Sequence, residues 1–163
     1  MMLFFDTNVI VYSIVNLDEE KLKISQQLVN TALEENSILI SPLILQEMIF
    51  TLGKLGVESD VIEENVDLWT NFSISSIEND IVKEAFDLCK KANNFRIISD
   101  AIHLKIAEKY CTKLVTFDKD FKQLRSLTDF KIEILQQSEE NENTENKEQK
   151  GDNQNNLPEL ETS

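Results

Sequence analysis

Short apolar runs alternate along this chain with longer segments in which apolar residues recur at helical spacing. The short runs predict strands, and the periodic segments predict amphipathic helices. The predicted strands are residues 2–5, 38–40, 72–74, 113–116 and 130–135. The predicted helices are residues 7–15, 19–34, 42–55, 60–69, 78–92, 100–110 and 119–124. This alternation predicts an α/β fold in which a parallel sheet is covered by helices on both faces.

Capping residues and apolar spacing add detail to three of the predicted helices. Ser41 and Pro42 are typical of a helix start, with serine as the N-cap and proline in the first turn. Ser99 is expected to cap the helix that begins at Asp100. In the helix over residues 78–92, one face is expected to be apolar and buried, and it consists of Ile81, Val82, Ala85, Phe86 and Cys89.

The length of 163 residues is enough for one domain with a substantial core. We expect residues 1–137 to form that domain, and residues 138–163, which are rich in Glu, Asn, Gln and Lys, to be a disordered tail. No apolar run approaches the roughly 20 residues of a membrane span. The two cysteines, Cys89 and Cys111, lie in no metal-binding motif, which is typical of reduced thiols in a cytoplasmic protein.

The formal net charge is −14, and it is unevenly distributed. Residues 138–163 contain eight acids and two lysines, but residues 1–137 are acidic as well. This balance weighs against a protein that holds nucleic acid through a broad basic surface. A phosphate-containing substrate would have to be held by bound cations, by a local basic patch or by a basic partner.

Acidic residues stand at positions where apolar segments end or helices begin. Asp6 and Asp118 each follow a predicted strand, and ligands of parallel sheets bind at the carboxyl ends of strands. Asp100 opens a predicted helix. Taken singly, Asp6 and Asp100 could be helix-capping residues, and Asp118 and Asp120 could be ordinary turn residues.

Glu47 is the hardest of these acids to explain as a structural residue. Its neighbours one helical turn away are mostly apolar, and no lysine or arginine lies within one turn on its helix. A charged group in such surroundings needs a partner from elsewhere in the fold or a metal ion. A set of oxygen ligands without a Cys or His cluster favours Mg²⁺ or Mn²⁺ over zinc. Such a site can activate water for attack on a phosphodiester.

Four motifs together resemble those of the PIN domain family, and more specifically small prokaryotic ribonucleases of the VapC toxin type. The resemblance covers residues 2 to about 135. Its motifs are Asp6-Thr7-Asn8, Glu47 in the helix after Ser41-Pro42, Asp100-Ala101-Ile102-His103-Leu104, and Thr116-Phe117-Asp118-Lys119-Asp120-Phe121. Each motif alone is weak, whereas all four in this order are specific.

The resemblance implies a three-layer α/β/α sandwich with a central parallel sheet and divalent-metal-dependent cleavage of single-stranded RNA. It implies Mg²⁺ or Mn²⁺ as cofactor and a toxin role in a type II toxin–antitoxin pair, with a small antitoxin as partner and frequent homodimers. The metal ligands would be Asp6, Glu47, Asp100 and Asp118, with Asp120 as an auxiliary catalytic acid. Thr7 and Thr116 would orient carboxylates through their hydroxyl groups.

Other interpretations remain open from the sequence. A non-catalytic PIN-fold module that binds RNA or a protein is the main alternative, and an aspartate-phosphorylating enzyme fits less well because Asn8 stands where such enzymes have a second Asp. His103 is expected to be a packed or surface residue rather than a proton shuttle. Three basic residues at three-residue spacing could meet phosphates or form a solvated face, namely Lys119, Lys122 and Arg125.

Overall fold

A parallel four-stranded sheet forms the centre of the molecule in the computed structural model, which describes residues 1–136. The strands are β1 (Leu3–Phe5), β2 (Ile38–Leu39), β3 (Lys113–Thr116) and β4 (Ile132–Ile134). Their order across the sheet is β2-β1-β3-β4, and every neighbouring pair is parallel. The predicted α/β/α sandwich with a central parallel sheet is confirmed.

Seven α-helices surround the sheet in the described residues. They are α1 (Thr7–Ile14), α2 (Glu19–Glu34), α3 (Pro42–Lys54), α4 (Ser59–Thr70), α5 (Asn79–Ala92), α6 (Ile98–Tyr110) and α7 (Phe121–Arg125). A 3₁₀ turn, Phe95–Ile97, leads directly into α6. All seven predicted helices exist, with small shifts at their ends.

Two helix starts illustrate how local sequence sets the boundaries. The Ser41 side chain accepts a hydrogen bond from the Ile44 amide at 3.3 Å, and Pro42 occupies the first turn of α3, as predicted. By contrast, Ser99 does not cap α6. That helix begins at Ile98, two residues before the predicted start at Asp100, because the preceding 3₁₀ turn already supplies helical backbone. Ser99 therefore lies inside the first turn.

Two further expectations were wrong. Residues 72–74 form no strand, because only Ser73 pairs with the sheet region, through a single parallel bridge to Ile40. On α5 the buried stripe contains Leu88 with Ile81, Ala85 and Cys89, so Val82 and Phe86 lie at its edge with 41% and 49% of their surface exposed. The two cysteines are free thiols, as expected.

The two central strands bring separate parts of the chain together at their carboxyl ends. Phe4 and Phe5 of β1 are fully buried, and the Asp6 amide donates to the Val115 carbonyl of β3 at 3.0 Å. The chain leaves β1 and β3 toward opposite edges of the sheet, and a crevice at such a switch of strand order is the usual ligand position.

Other expectations concern the chain ends and the membrane. No helix in residues 1–136 is long and apolar enough to cross a bilayer. The expected tail, residues 138–163, lies outside the described residues, so the domain boundary at 137 stays a prediction.

Candidate functional site

Asp6 is fixed at the carboxyl end of β1 by hydrogen bonds to both of its carboxylate oxygens. Oδ1 accepts from the Thr7 amide at 2.7 Å, so Asp6 is also the N-cap of α1. Oδ2 accepts from the Asn8 side chain at 2.7 Å and from the Thr116 hydroxyl at 2.6 Å. Burial raises the pKa of Asp6, and the nearby Glu47 adds to the rise, although His103 and these hydrogen bonds oppose it. The capping and ligand interpretations of Asp6 are therefore compatible.

Thr116 connects three residues of the site through one hydroxyl group. It donates to Asp6 and accepts from Asn8 Nδ2 at 3.0 Å and from the Asp118 amide at 2.8 Å. A hydroxyl has one donor and two acceptor positions, so its hydrogen-bonding capacity is filled. This fully buried threonine orients a carboxylate, as the family resemblance implied.

Glu47 projects from α3 toward Asp6 and is held by two side chains from other elements. Its Oε2 accepts from the Thr7 hydroxyl at 2.5 Å and from His103 Nε2 at 3.1 Å. Burial alone would raise the pKa of Glu47, but the hydrogen bond and charge of His103, with the Thr7 bond, lower it below its usual range. The partner that Glu47 requires is thus a histidine from α6.

His103 is buried and packed, as expected, but it also belongs to the site. Only 1% of its side chain is exposed, and its ring lies 5.9 Å from that of Phe4. Because an ionised carboxylate can only accept hydrogen bonds, Nε2 carries a proton toward Glu47. Its Nδ1 atom has no hydrogen-bond partner among the described residues.

Asp100 lies in the first turn of α6, one turn before His103. None of the described residues donates a hydrogen bond to its carboxylate. Burial and the negative charges of Asp6, Asp118 and Glu47 together raise the pKa of Asp100 to about 7, although His103 opposes the rise. A carboxylate with these neighbours is stabilised by added positive charge.

Asp118 and Asp120 differ in position although they are two residues apart. Asp118 follows β3 and lines the pocket with Asp6, Glu47 and Asp100. Asp120 is exposed and is not among the residues that line the pocket, but its backbone amide donates to Asp118 Oδ1 at 2.8 Å. The structure therefore brings together four of the five predicted acids and leaves the fifth beside them at the surface.

The pocket that these four acids line has a volume of about 400 Å³. Within residues 1–136, its lining contains no lysine or arginine, although Lys21 donates to the hydroxyl of the lining residue Tyr12 at 3.3 Å. At its mouth are the apolar side chains of Leu17 and Phe50, which are 54% and 65% exposed. Four acids with no lysine or arginine in the lining form a site of negative potential, which His103 offsets only in part.

The donor atoms fit a hard divalent cation. Single ligand atoms of Asp6, Glu47 and His103 lie within 4.8 Å of one another, which is close enough to share one ion. Asp100 and Asp118 line the same pocket but are not members of this group. Since His103 already directs Nε2 to Glu47, carboxylate oxygens remain as the main donors, including the unbonded oxygens of Asp100. Such oxygen sets favour Mg²⁺ or Mn²⁺.

Sequence reasoning missed two residues of this site. Asn8 holds Asp6 through Nδ2 and accepts the Phe117 amide through Oδ1 at 3.0 Å, which ties the two motifs together. His103 holds Glu47. In both cases a spacing signal existed, because Asn8 stands two residues after Asp6 and His103 three residues after Asp100, on the same helical face.

Comparisons with known proteins give one family and several similar folds. The family model of the PIN domain matches residues 3–127. A search of the curated proteins finds no significant match.

Among solved structures, three similar folds are toxins or toxin–antitoxin complexes. A toxin–antitoxin complex from Klebsiella pneumoniae is 23% identical with a TM-score of 0.52, and the match covers 73% of this chain and 89% of that one. VapC20 of Mycobacterium tuberculosis, a toxin that cleaves the sarcin–ricin loop, is 16% identical with a TM-score of 0.58, over 75% and 94% of the two chains. VapBC2 of Rickettsia felis, bound to a promoter DNA fragment, is 16% identical with a TM-score of 0.61, over 83% and 100%.

The family match spans all four acidic motifs and almost the whole described domain. The similar structures share the parallel α/β fold, and their sequence identities of 16–23% support a conclusion about the fold alone. The chain belongs to the PIN domain family.

Proposed function

We propose that this protein is a divalent-metal-dependent endoribonuclease that hydrolyses phosphodiester bonds in single-stranded RNA. We further propose that it is the toxin component of a type II toxin–antitoxin pair and that it acts in the cytoplasm. The observation that supports this function best is the convergence of Asp6, Glu47, Asp100 and Asp118 on one pocket without a cation, in a chain of the PIN family.

In this proposal the four pocket acids hold Mg²⁺ or Mn²⁺. A divalent ion bound there would polarise the scissile phosphate, lower the pKa of an attacking water and stabilise the leaving oxygen. The protein contributes orientation: Thr116 and Asn8 fix the Asp6 carboxylate, and Thr7 and His103 fix that of Glu47. Asp120 is the proposed auxiliary acid, and the bond from its backbone amide to the Asp118 side chain supports a position near the pocket.

The proposed partners are RNA, a small antitoxin and a second copy of the chain. Two of the similar structures are toxin–antitoxin complexes, which supports the antitoxin. The exposed Leu17 and Phe50 at the pocket mouth offer an apolar surface that a protein segment could cover while it blocks the acids. The antitoxin proposal predicts that a small protein encoded beside this chain inhibits its activity and co-purifies with it.

The decisive experiment measures cleavage of a mixed pool of single-stranded RNA by the purified chain. Mg²⁺ or Mn²⁺ should support cutting, and EDTA should abolish it. Asp100→Asn should lose activity by at least about 100-fold, because the variant keeps the shape of the side chain but removes a charge from the site.

Asp80→Asn is the matched control for Asp100→Asn. Asp80 also lies in the first turn of a helix, but its side chain is 81% exposed and outside the pocket. It should leave cleavage unchanged. If folded wild-type protein freed of any partner cut no RNA with either metal, or if Asp100→Asn cut as well as wild type, the proposal would be wrong and a non-catalytic PIN-fold binding module would be favoured.

A further inference from the structure

In the described residues, a group of basic side chains close in sequence to Asp100 and Asp118 forms no ion pair with a carboxylate. Most lysines elsewhere pair with acids, as Lys23 does with Glu19 and Lys109 with Glu78. Within residues 1–136, no ion pair involves four exposed basic side chains around the 3₁₀ turn and α7: Arg96, Lys119, Lys122 and Arg125. Three other lysines form no ion pair in the described residues: Lys54 at the end of α3, Lys91 in the last turn of α5 and Lys131 before β4. Lys21 donates instead to the Tyr12 hydroxyl at 3.3 Å.

Gln123 joins the two segments that present these cations. Its Nε2 donates to the Ala92 carbonyl at 3.2 Å, and its Oε1 accepts from the Asn94 side chain at 3.3 Å. Ala92 ends α5 and Asn94 caps the 3₁₀ turn, so α7 is tied to the segment that contains Arg96. The segments that contain the four exposed cations are therefore held next to each other.

Two exposed aromatic rings lie in the same region. Phe95 and Phe86 are 55% and 49% exposed, and their ring centroids are 5.5 Å apart. Exposure of two neighbouring phenyl rings has a cost in water, so such a pair marks a contact surface. We call this surface, formed by Phe86, Phe95, Arg96, Lys119, Lys122 and Arg125, the basic–aromatic strip.

The strip adjoins the pocket at two points of the chain. Lys119 directly follows Asp118, and Arg96 precedes Asp100 by one helical turn. Two of the four cations are therefore close in the chain to acids that line the pocket.

We infer that the basic–aromatic strip binds the single-stranded RNA substrate next to the cleaved bond, with phosphates on its cations and an unstacked base on Phe95. This inference rests on the proposed function. Unpaired cations in a chain with a net charge of −14 complement a polyanion. Exposed rings beside cations are the usual contact of single-stranded nucleic acid, because a base in a duplex has its faces covered.

The test measures binding of a fluorescein-labelled single-stranded RNA of mixed sequence to the full chain in EDTA, where no cleavage is expected. Arg96→Ala and Lys122→Ala should each weaken binding several-fold in 50 mM NaCl. Each should also lower the slope of log affinity against log salt by about 0.7, the value for one phosphate contact with a single strand. Lys54→Ala, which removes an unpaired cation outside the strip, should leave both values unchanged.

Phe95→Ala should weaken binding by at least about fivefold with an unchanged salt slope, because stacking involves no counterion release. Leu68→Ala is the matched control, since Leu68 is an exposed apolar residue of α4 that is 42% exposed. Equal binding by wild type and the strip variants would overturn the inference. So would a change in sedimentation of Phe95→Ala without loss of RNA affinity, which would identify the ring pair as an interface between copies.

Binding and cleavage separate the two proposals. Metal-dependent cutting that strip variants leave unchanged, in both KM and salt dependence, would overturn the strip and leave the nuclease intact. Loss of RNA binding in strip variants of a protein that never cuts would support the strip and overturn the nuclease.

Discussion

The acidic pocket and the basic–aromatic strip lie next to each other but hold their charges in opposite ways. In the pocket, the buried Asp6 and the half-buried Asp100 have raised pKa values, and the described lining contains no lysine or arginine. In the strip, exposed cations such as Arg96 and Lys122 have no carboxylate partner in the described part of the chain. The comparison shows that a single net charge does not describe this chain. The pocket has the charge expected of a cation site, and the strip has the charge expected of a surface that binds a polyanion.

The largest expected effect tests whether the pocket acid Asp118 and the exposed Asp120 differ in their contribution to cleavage. Asp118→Asn should lower kcat by at least about 100-fold, because it removes a charge from the lining, whereas Asp120→Asn should cost less than about tenfold. In both variants the backbone amide of residue 120 can still donate a hydrogen bond to the side chain of residue 118, so the two form a matched pair. Single-turnover cleavage rates measure the difference. Equal losses would place Asp120 among the catalytic groups despite its exposure.

The next effect tests whether His103 belongs functionally to the pocket. His103→Ala should reduce activity about 10–100-fold, the usual cost of losing a group that orients a metal ligand. The variant should also need a higher Mg²⁺ concentration to reach its half-maximal rate, since the Glu47 carboxylate would no longer be held by His103. His103→Gln can still donate a hydrogen bond and should recover part of the activity. Loss of activity at unchanged metal requirement in a folded variant would contradict this positioning role.

The fold followed closely from the sequence where the signals were local. The predicted α2, residues 19–34, matches in both bounds because Asp18 caps it and its apolar residues are periodic. Residues 72–74 do not form the predicted strand. The alternation Phe72-Ser73-Ile74 resembles a strand, but strand pairing depends on a distant neighbour, and here only Ile40 pairs with the segment. Periodicity also could not tell which side of the broad apolar face of α5 would be buried.

The candidate site was predictable as a set of acids but not as a network. Asp6 and Asp118 follow strands, so their meeting followed from the expected parallel sheet. The bond between Glu47 and His103 joins residues 56 positions apart, and no local pattern specifies which acid the single histidine meets. The strip was only partly visible, because the spacing of Lys119, Lys122 and Arg125 says nothing about Phe95 or Arg96 across the Gln123 bridge.

A smaller expected effect, on the free energy of unfolding, tests whether the pocket is short of positive charge. The folded pKa of Asp100, about 7, lies above its ordinary value of 3.8, so its ionisation destabilises the folded state. Wild type in EDTA should lose stability as pH rises from about 4 to about 7, and this contribution should be fully lost above pH 7. Asp100→Asn should lack that loss and be more stable than wild type at pH 8 by about 1 kcal/mol, a value reduced for partial relaxation.

Denaturant unfolding at pH 5 and pH 8 measures this effect, with Asp80→Asn as the exposed control. Added Mg²⁺ should stabilise wild type more than Asp100→Asn, because a ligand stabilises the state that binds it. If Asp100→Asn were less stable than wild type at pH 8 in EDTA, the Asp100 carboxylate would be stabilised by protein contacts, and the pocket would not be short of positive charge.

The smallest effect concerns the strip and the acidic residues 138–163. The last described residues follow β4, where the Leu135 amide donates to the Thr116 carbonyl, so the chain leaves the domain at the edge that contains the site. With eight acids and two lysines, residues 138–163 should compete weakly with RNA for nearby cations. Their removal should raise RNA affinity about two- to threefold in 50 mM NaCl. The gain in RNA affinity should vanish near 0.5 M NaCl, where charges are screened beyond a few ångströms.

Removal of residues 138–163 should change the free energy of unfolding by no more than about 0.5 kcal/mol, since the domain is predicted to end at residue 137. A gain that persisted at high salt would mean that these residues contact the strip by more than charge, and a loss of stability would move the domain boundary.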